Sequence, residues 1–315
     1  MIDDVVASLR ILAGRDTRDV RDTLQGTARE RRLSLSMQAG AFRGVPRAAI
    51  AALAIEIDGR PVTFSSRGPD GPFENALAMR LVATNAHGTV VRNESRQFAL
   101  RLSPEAHHQA TTFGLRLNPR LLLPPGRYRL HVFARESEGR RAGAACCDLD
   151  VPDFTDRPLM LSGVALTAAS ARLMHTMNPD EAMERVLPGP ATSRRVFFQG
   201  DVLGVFAEAY SNTSEAAARI AMATRLVRDD GQAVFSSVEP PHRANGGNNP
   251  GEQRRYLVHV PLRAAPPGPY VLHVEARLGE GIAGPARACR SVPLTVGADP
   301  GVGLDIGLGP LLRRE

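Results

Sequence analysis

The chain contains no lysine and no tryptophan; all 39 of its basic residues are arginine. The first absence removes a whole class of chemistry. Without lysine there is no Schiff-base amine, no Walker P-loop and no Ser-Lys dyad. A G-x-S-x-G elbow, an H-E-x-x-H pair and a C-x-x-C pair are also missing. Aromatic residues make up only 5% of the chain, which leaves few rings to stack on bases or sugars. Three cysteines, Cys146, Cys147 and Cys289, are an odd number and form no metal-ligand pattern. Strand alternation places Cys147 inward, in phase with Leu149 and Val151, and Cys146 outward. The pair therefore reads as a small buried hydrophobe beside a free thiol. A Cys146–Cys289 bridge would require the two halves of the chain to touch there. No apolar run approaches the roughly 18–20 residues of a membrane span. The opening MIDDVVASLR lacks the basic and apolar regions of a signal peptide, so the expected product is soluble.

What is present is a repeat. Residues 124–135 read PPGRYRLHVFAR and residues 266–277 read PPGPYVLHVEAR, identical at nine of twelve positions with an offset of 142. Pro-Pro-Gly is a turn, with proline presetting φ and glycine supplying a positive φ. Strict alternation follows, the mark of a half-buried strand in an antiparallel sheet. Tyr128, Leu130, Val132 and Ala134 are expected inward, as are Tyr270, Leu272, Val274 and Ala276. A tyrosine entering a strand just after a turn resembles the tyrosine corner of immunoglobulin-like sandwiches, whose hydroxyl bonds back to nearby backbone. The expected fold is all-β: two tandem immunoglobulin/fibronectin-III-like antiparallel β-sandwiches with a short N-terminal helix. Their expected bounds are 1–30 for the helix and a linker, 31–152 and 158–297 for the sandwiches, and 298–315 for a tail.

Along the chain, residues 3–12 have helical spacing with Asp3 and Asp4 at the favourable end. Strands are expected at 32–38, 51–58, 96–102, 115–117, 127–135 and 145–151, with a hairpin over 79–92 turning at 85–88. A polar loop is expected through His107 and His108. The segment 151–158 carries two prolines and reads as a short, stiff linker that restricts the orientation of the sandwiches. Beyond it, strands are expected at 159–167, 195–198, 202–210 and 288–296, with a hairpin over 219–236. Asp180 and its neighbours start a helical turn. A long loop spans 239–252. Arg80-Leu81-Val82 is matched with Arg225-Leu226-Val227, and Arg96-Gln97-Phe98 with Arg254-Arg255-Tyr256.

Charge is uneven. Residues 31–152 carry 17 arginines against 10 acids, and residues 158–297 carry 14 against 12. The basic first half favours an acidic partner surface. Its arginines are scattered and few aromatics interleave with them, so nucleic-acid binding is not expected. Other polar features have plain structural readings. His107-His108 reads as an exposed loop pair rather than metal ligands. Asp229-Asp230 reads as a hairpin turn rather than a calcium loop, and Gly301-Val302-Gly303 lacks dinucleotide spacing. Glu208, in an apolar strand, needs a partner if buried, and Arg194 or Arg195 would serve. His131 and His273 repeat in register on the outward face, either as a shared ligand groove or as inheritance from duplication. No catalytic, cofactor or metal residue is singled out.

With these residues laid out, the chain resembles the C-terminal region of bacterial (Acidobacteria-type) VWFA-related domain proteins, without the von Willebrand factor A domain itself. The resemblance rests on Gly114-Leu115-Arg116-Leu117-Asn118-Pro119, Leu123-Pro124-Pro125-Gly126-Arg127-Tyr128, Val151-Pro152-Asp153-Phe154, Leu161-Ser162-Gly163, Val186-Leu187-Pro188 and the run from Gly200-Asp201 to Tyr210. These lie in order between about 31 and 297. The resemblance implies a truncated member of a periplasmic or secreted family, with 3–12 as a remnant of the missing part. The metal-dependent adhesion site needs D-x-S-x-S, which this sequence lacks. The implied function is a non-catalytic structural or protein-interaction module with an unknown protein partner in the cell envelope. A carbohydrate-binding accessory module is the alternative.

Overall fold

The computed structural model describes residues 31–66, 68, 71–138, 141–212, 220–242, 253–279 and 286–299. The expected helix at 3–12, most of the 239–252 loop and the tail beyond 299 lie outside the described residues. The described chain is all-β. In chain order the first half forms β1 (Arg31–Arg32), β2 (Leu35–Arg43), β3 (Ala49–Ile57), β4 (Ser65–Ser66), β5 (Phe73–Asn85), β6 (Val90–Leu102), helix α1 (Pro104–Phe113), β7 (Leu115–Leu117), β8 (Arg120–Leu123), β9 (Gly126–Glu136) and β10 (Arg141–Val151). The second half forms β11 (Leu159–Leu161), β12 (Ala165–Ala168), β13 (His175–Asn178), helix α2 (Glu181–Glu184), β14 (Val196–Phe198), β15 (Val202–Ser211), β16 (Ile220–Arg228), β17 (Ala233–His242), β18 (Gln253–Pro261), β19 (Gly268–Leu278) and β20 (Arg287–Gly297).

Four sheets result. In the first, β1, β10, β9, β5 and β6 lie side by side, with β4 beside the start of β5. The second runs β13-β7-β3-β2, with β8 also on β3. In the third, β11 and β12 flank one side of β15 and β18 the other, while the fourth runs β14-β20-β19-β16-β17. Leucine, isoleucine and valine from the first two sheets interdigitate in one core, and those of the last two in another.

The repeated stretches are β9 and β19, each central in its sheet. Tyr128, Leu130, Val132 and Ala134 are buried, and so are Tyr270, Leu272, Val274 and Ala276. Gly126 and Gly268 open the strands at φ 155° and 153°, a region that favours glycine. Both tyrosine hydroxyls bond back four residues, Tyr128 Oη to the Pro124 carbonyl at 2.9 Å and Tyr270 Oη to that of Pro266 at 2.7 Å. We expect Tyr128→Phe and Tyr270→Phe each to cost about 1 kcal/mol, read as a lower urea midpoint with unchanged slope.

Cross-strand register corrects two of the matched pairs. His131 lies opposite Val82, and His273 opposite Arg225, so Arg225 is the counterpart of Val82 rather than of Arg80. Likewise β6 pairs with β5 whereas β18 pairs with β15, so Arg96 and Arg254 stand on different sheets. The stretch expected to be a loop around His107 is helix α1. Ser103 caps it by accepting the Ala106 N–H at 3.2 Å, and Pro104 stands at its first turn. The expected strand at 159–167 is broken between β11 and β12, because the Gly163 N–H turns away to the Ala41 carbonyl at 2.6 Å.

That last bond belongs to a broad contact between the two halves. The two sandwiches stack. The outer face of the second sheet packs against the outer face of the third, so four sheets lie in layers with three apolar interfaces. At the middle one Phe42 stacks on Phe206, ring centroids 6.2 Å apart, with Met183 and Leu187 around them. The approach is close enough that a Cβ on Gly163 would meet the Gly40 Cα at 2.5 Å. Strand β13 goes further and joins the first half's sheet, pairing in parallel with β7.

Candidate functional site

The seam between the stacked sheets holds a buried polar cluster. Alternation along β3 turns Leu53, Ile55 and Ile57 toward the first core and Glu56 toward the outer face. In an isolated sandwich that face would be wet. Here residues 165–195 cover it, and Glu56 and its partner Arg116 on β7 are both 0% exposed. Arg116 Nε and Nη2 donate to Glu56 Oε1 at 3.1 and 3.0 Å, and Nη2 also donates to the Ala171 carbonyl at 2.6 Å. From the second half, Thr192 Oγ1 donates to Oε1 at 2.6 Å and Ser193 Oγ to Oε2 at 3.1 Å. Ser36 Oγ shares a 2.6 Å hydrogen bond with Ser193 Oγ. Arg194 Nε lies 3.8 Å from Oε2, and burial lowers its pKa, opposed by the Glu56 charge.

A hydroxyl, a carboxylate and arginines in one place invite a catalytic reading, but the geometry argues otherwise. Glu56 is held by one guanidinium and two hydroxyls, a set that fixes the carboxylate in place. No histidine joins the chain of bonds, and the carboxylate is sealed from substrate. The cluster is a lock between the halves. Around it lie further ties. Asp180 caps α2 by accepting the Ala182 and Met183 N–H groups, and accepts Arg120 Nε of β8 at 2.6 Å. Asn118 Nδ2 donates to the Leu53 and Ala191 carbonyls.

Tyr210 makes a second lock. It is fully buried against the first core although it belongs to β15. Its ring meets Phe154 edge-on at 5.1 Å, and the Arg43 guanidinium sits 4.3 Å from its centroid. The hydroxyl accepts the Arg43 N–H at 2.9 Å and donates to Glu208 Oε2 at 2.6 Å. Burial, reinforced by the Glu208 charge, raises the Tyr210 pKa. Glu208 therefore finds its partners in Tyr210 and in Arg255, at 3.6 Å, not in Arg194 or Arg195. Phe154, from the expected linker, is itself pinned: its carbonyl accepts from Arg43 and Asn212.

Two depressions open to solvent elsewhere on the surface. The first, about 450 Å³, lies over the start of β9 and the end of β10, where Arg127, Tyr128, Arg129, His131, Asp148 and Asp150 meet the 85–88 turn. Cross-strand ion pairs, Arg129 with Asp148 and Arg127 with Asp150, both at 3.4 Å, form its wall. Burial, aided by the Arg129 charge, lowers the His131 pKa to about 4, so this imidazole is neutral at pH 7. His273, its repeat equivalent, instead shares a 2.9 Å hydrogen bond with Ser291 Oγ. The two histidines thus have different surroundings and form no common groove. The second depression, about 900 Å³, runs along the edge of the stack from β2 and β10 across residues 151–157 to Arg195 and Arg290 on the other side. Among the described residues no aromatic side chain lines it.

The remaining sequence candidates scatter. His107 stacks on Phe73 at 3.8 Å within α1's packing, and Asp229 and Asp230 form a turn paired with Arg228. Among the described residues no three histidine, cysteine or acidic side chains converge as metal ligands. No described helix is long and apolar enough to cross a membrane. All three cysteines are free, with Cys146 and Cys289 exposed. Burial, with the neighbouring Cys146 next, pushes the Cys147 thiol up to about 12. A thiol reagent at pH 8 should therefore titrate two cysteines in the native protein and the third only after denaturation; three fast thiols would contradict that placement.

The sequence did carry a signal for the seam. Strand β3 reads AIAALAIEI, apolar on both faces, as strands buried on both sides do. Glu56 stands out there as an acid in an otherwise apolar strand. No protein-family model matches the chain, and no curated protein matches it.

Proposed function

We propose that the chain is a non-catalytic structural and protein-interaction module of a bacterial extracytoplasmic VWFA-related protein. The observation that supports it best is the double lock, Glu56 with Arg116, Thr192 and Ser193 on one side and Tyr210 with Arg43 on the other. Such a lock spends buried polar groups on fixing one half against the other, a use of ion pairs in which geometry rather than net stability is gained. A rigid two-sandwich body with an open groove along one edge suits docking. The sequence resemblance is what supports a cell-envelope setting in this reading.

Two measurements test the reading. Small-angle scattering should report one rigid body, and pulsed dipolar electron-spin spectroscopy between paramagnetic tags on β6 and β17 a single narrow distance; a broad distribution would contradict the docking-body reading. Turnover in a hydrolase panel, lost on substitution of groove residues, would contradict the non-catalytic part. The carbohydrate alternative draws no support from a groove without rings. Glycan-array binding that depends on groove residues would restore it.

A further inference from the structure

The edge groove contains two arginines that make no ion pair among the described residues. Strand β14 pairs in parallel with β20, Val196 opposite Thr295 and Phe197 opposite Val296, so Arg195 falls opposite Leu294. Leu294 and Val296 point to the core, which puts Val292 and Arg290 on the same face of β20 by alternation. Arg195 and Arg290 therefore share one face of the sheet and both line the groove. Arg195 Nη1 donates to the Arg194 carbonyl at 2.7 Å. Arg290 Nη1 and Nη2 donate to the Cys289 and Leu161 carbonyls at 3.0 and 2.6 Å.

Backbone carbonyls orient a guanidinium but do not neutralise it. Among the described residues no carboxylate oxygen lies within 4 Å of either group. Three of the four rim acids pair with other arginines, Asp148 with Arg129, Asp150 with Arg127 and Asp156 with Arg157, and the fourth, Asp153, accepts the Thr155 N–H and hydroxyl. Burial lowers both guanidinium pKa values, that of Arg195 to about 10, against opposing contributions from Glu56 and Cys147 at Arg195 and from Cys289 and Asp150 at Arg290. A half-buried cation with no carboxylate in contact gains from one that arrives from outside. Each arginine also keeps free N–H donors beyond its named bonds, since a guanidinium has five.

We propose that this groove binds an extended acidic peptide segment, with Arg195 and Arg290 each taking one carboxylate. Four strand residues separate the two positions, about 14 Å at the strand rise. An extended peptide presents its side chains i and i+4 on one side at that same spacing. A carboxylate on an arginine fork is held by charge and by two parallel hydrogen bonds. The inference rests on the protein-interaction reading and names its partner chemistry. It moves the acidic partner from the broad basic surface of the first half to the seam.

The test is fluorescence anisotropy on the full chain with a labelled peptide, acetyl-Asp-Ala-Thr-Ala-Asp-amide, at low salt. Its Asn-Ala-Thr-Ala-Asn counterpart should bind at least tenfold more weakly. Arg195→Gln and Arg290→Gln should each weaken binding of the acidic peptide by about tenfold, with folding checked by circular dichroism. Should either variant fail to fold, the comparison of the two peptides on the unaltered protein decides alone. Equal binding of both peptides, or no binding of the acidic one at millimolar concentration, overturns the proposal. Inorganic phosphate is a competitor: displacement of bound peptide supports a shared anion site, and phosphate binding without peptide binding overturns the peptide assignment. A negative peptide result leaves the rigid-body scattering result standing, so the two readings fail separately.

Discussion

Replacing Glu56 with alanine is expected to destabilise the protein by about 3–5 kcal/mol, the usual cost of removing one partner from a buried ion pair. Arg116, 0% exposed, would be left as an uncompensated buried cation. Thr192 and Ser193 would lose the acceptor for their hydroxyls, and Arg194 its nearest carboxylate. The site already lacks acceptors: Arg116 Nη1 and Arg194 Nε and Nη2 are buried without a hydrogen-bond partner. Removing the one carboxylate therefore falls on the group in shortest supply. Glu56→Gln should cost less, because the amide oxygen still accepts from one or two donors, but it removes the charge. The informative control is the double variant Glu56→Leu with Arg116→Met. If the pair is a lock rather than a source of stability, the double variant should recover much of the loss, as apolar replacements of buried pairs often do. Urea denaturation of all four proteins checks both statements. A Glu56→Ala effect below about 1 kcal/mol would show that the cluster is solvated in solution.

Tyr210→Ala is the second large effect, with an expected loss of about 3–5 kcal/mol from an emptied aromatic site. The substitution removes the ring that fills the first half's core from the second half's strand, and with it the contacts to Phe154 and Arg43. Because those contacts cross between the halves, the loss should appear as loosening as well as lower stability. Paramagnetic distances between β6 and β17 should broaden in Tyr210→Ala and stay narrow in Tyr128→Phe, which perturbs one sandwich only. Tyr210→Phe separates ring from hydroxyl. It keeps the packing and costs about 1–3 kcal/mol, the range for leaving the Arg43 N–H and Glu208 carboxylate short of a partner. Equal losses for Tyr210→Phe and Tyr210→Ala would mean that the hydroxyl network, not the packing, joins the halves.

Much of each sandwich was legible in the residues. Alternation in PPGRYRLHVFAR identified the inward face of β9 residue by residue, because a half-buried strand has a period of two whatever surrounds it. The position of the tyrosine just after the Pro-Pro-Gly turn was enough to anticipate that its hydroxyl bonds back to nearby backbone, and the structure shows which carbonyl accepts, that of Pro124. Helix α1 was missed although Ser103-Pro104-Glu105 is a good helix start; its paired histidines and polar run read as loop. The matching of Arg80 with Arg225 failed because short tripeptides align equally well two residues out of step, and only cross-strand register fixes which partner His131 or His273 faces.

The candidate site belongs to the other category. By itself the sequence determined the all-β class, the inner faces of β9 and β19, and the tyrosine corners, all of which depend on contacts within one strand or its adjoining turn. Only the tertiary structure decided that the outer face of β3 is buried, that Glu56 is sealed while Glu208 is only partly buried, and that Arg195 and Arg290 line one groove. Those facts depend on which surface of one sandwich meets which surface of the other. Small residues such as Gly40 and Gly163 permit that contact, but a strand's periodicity records only that a face is apolar, not what covers it.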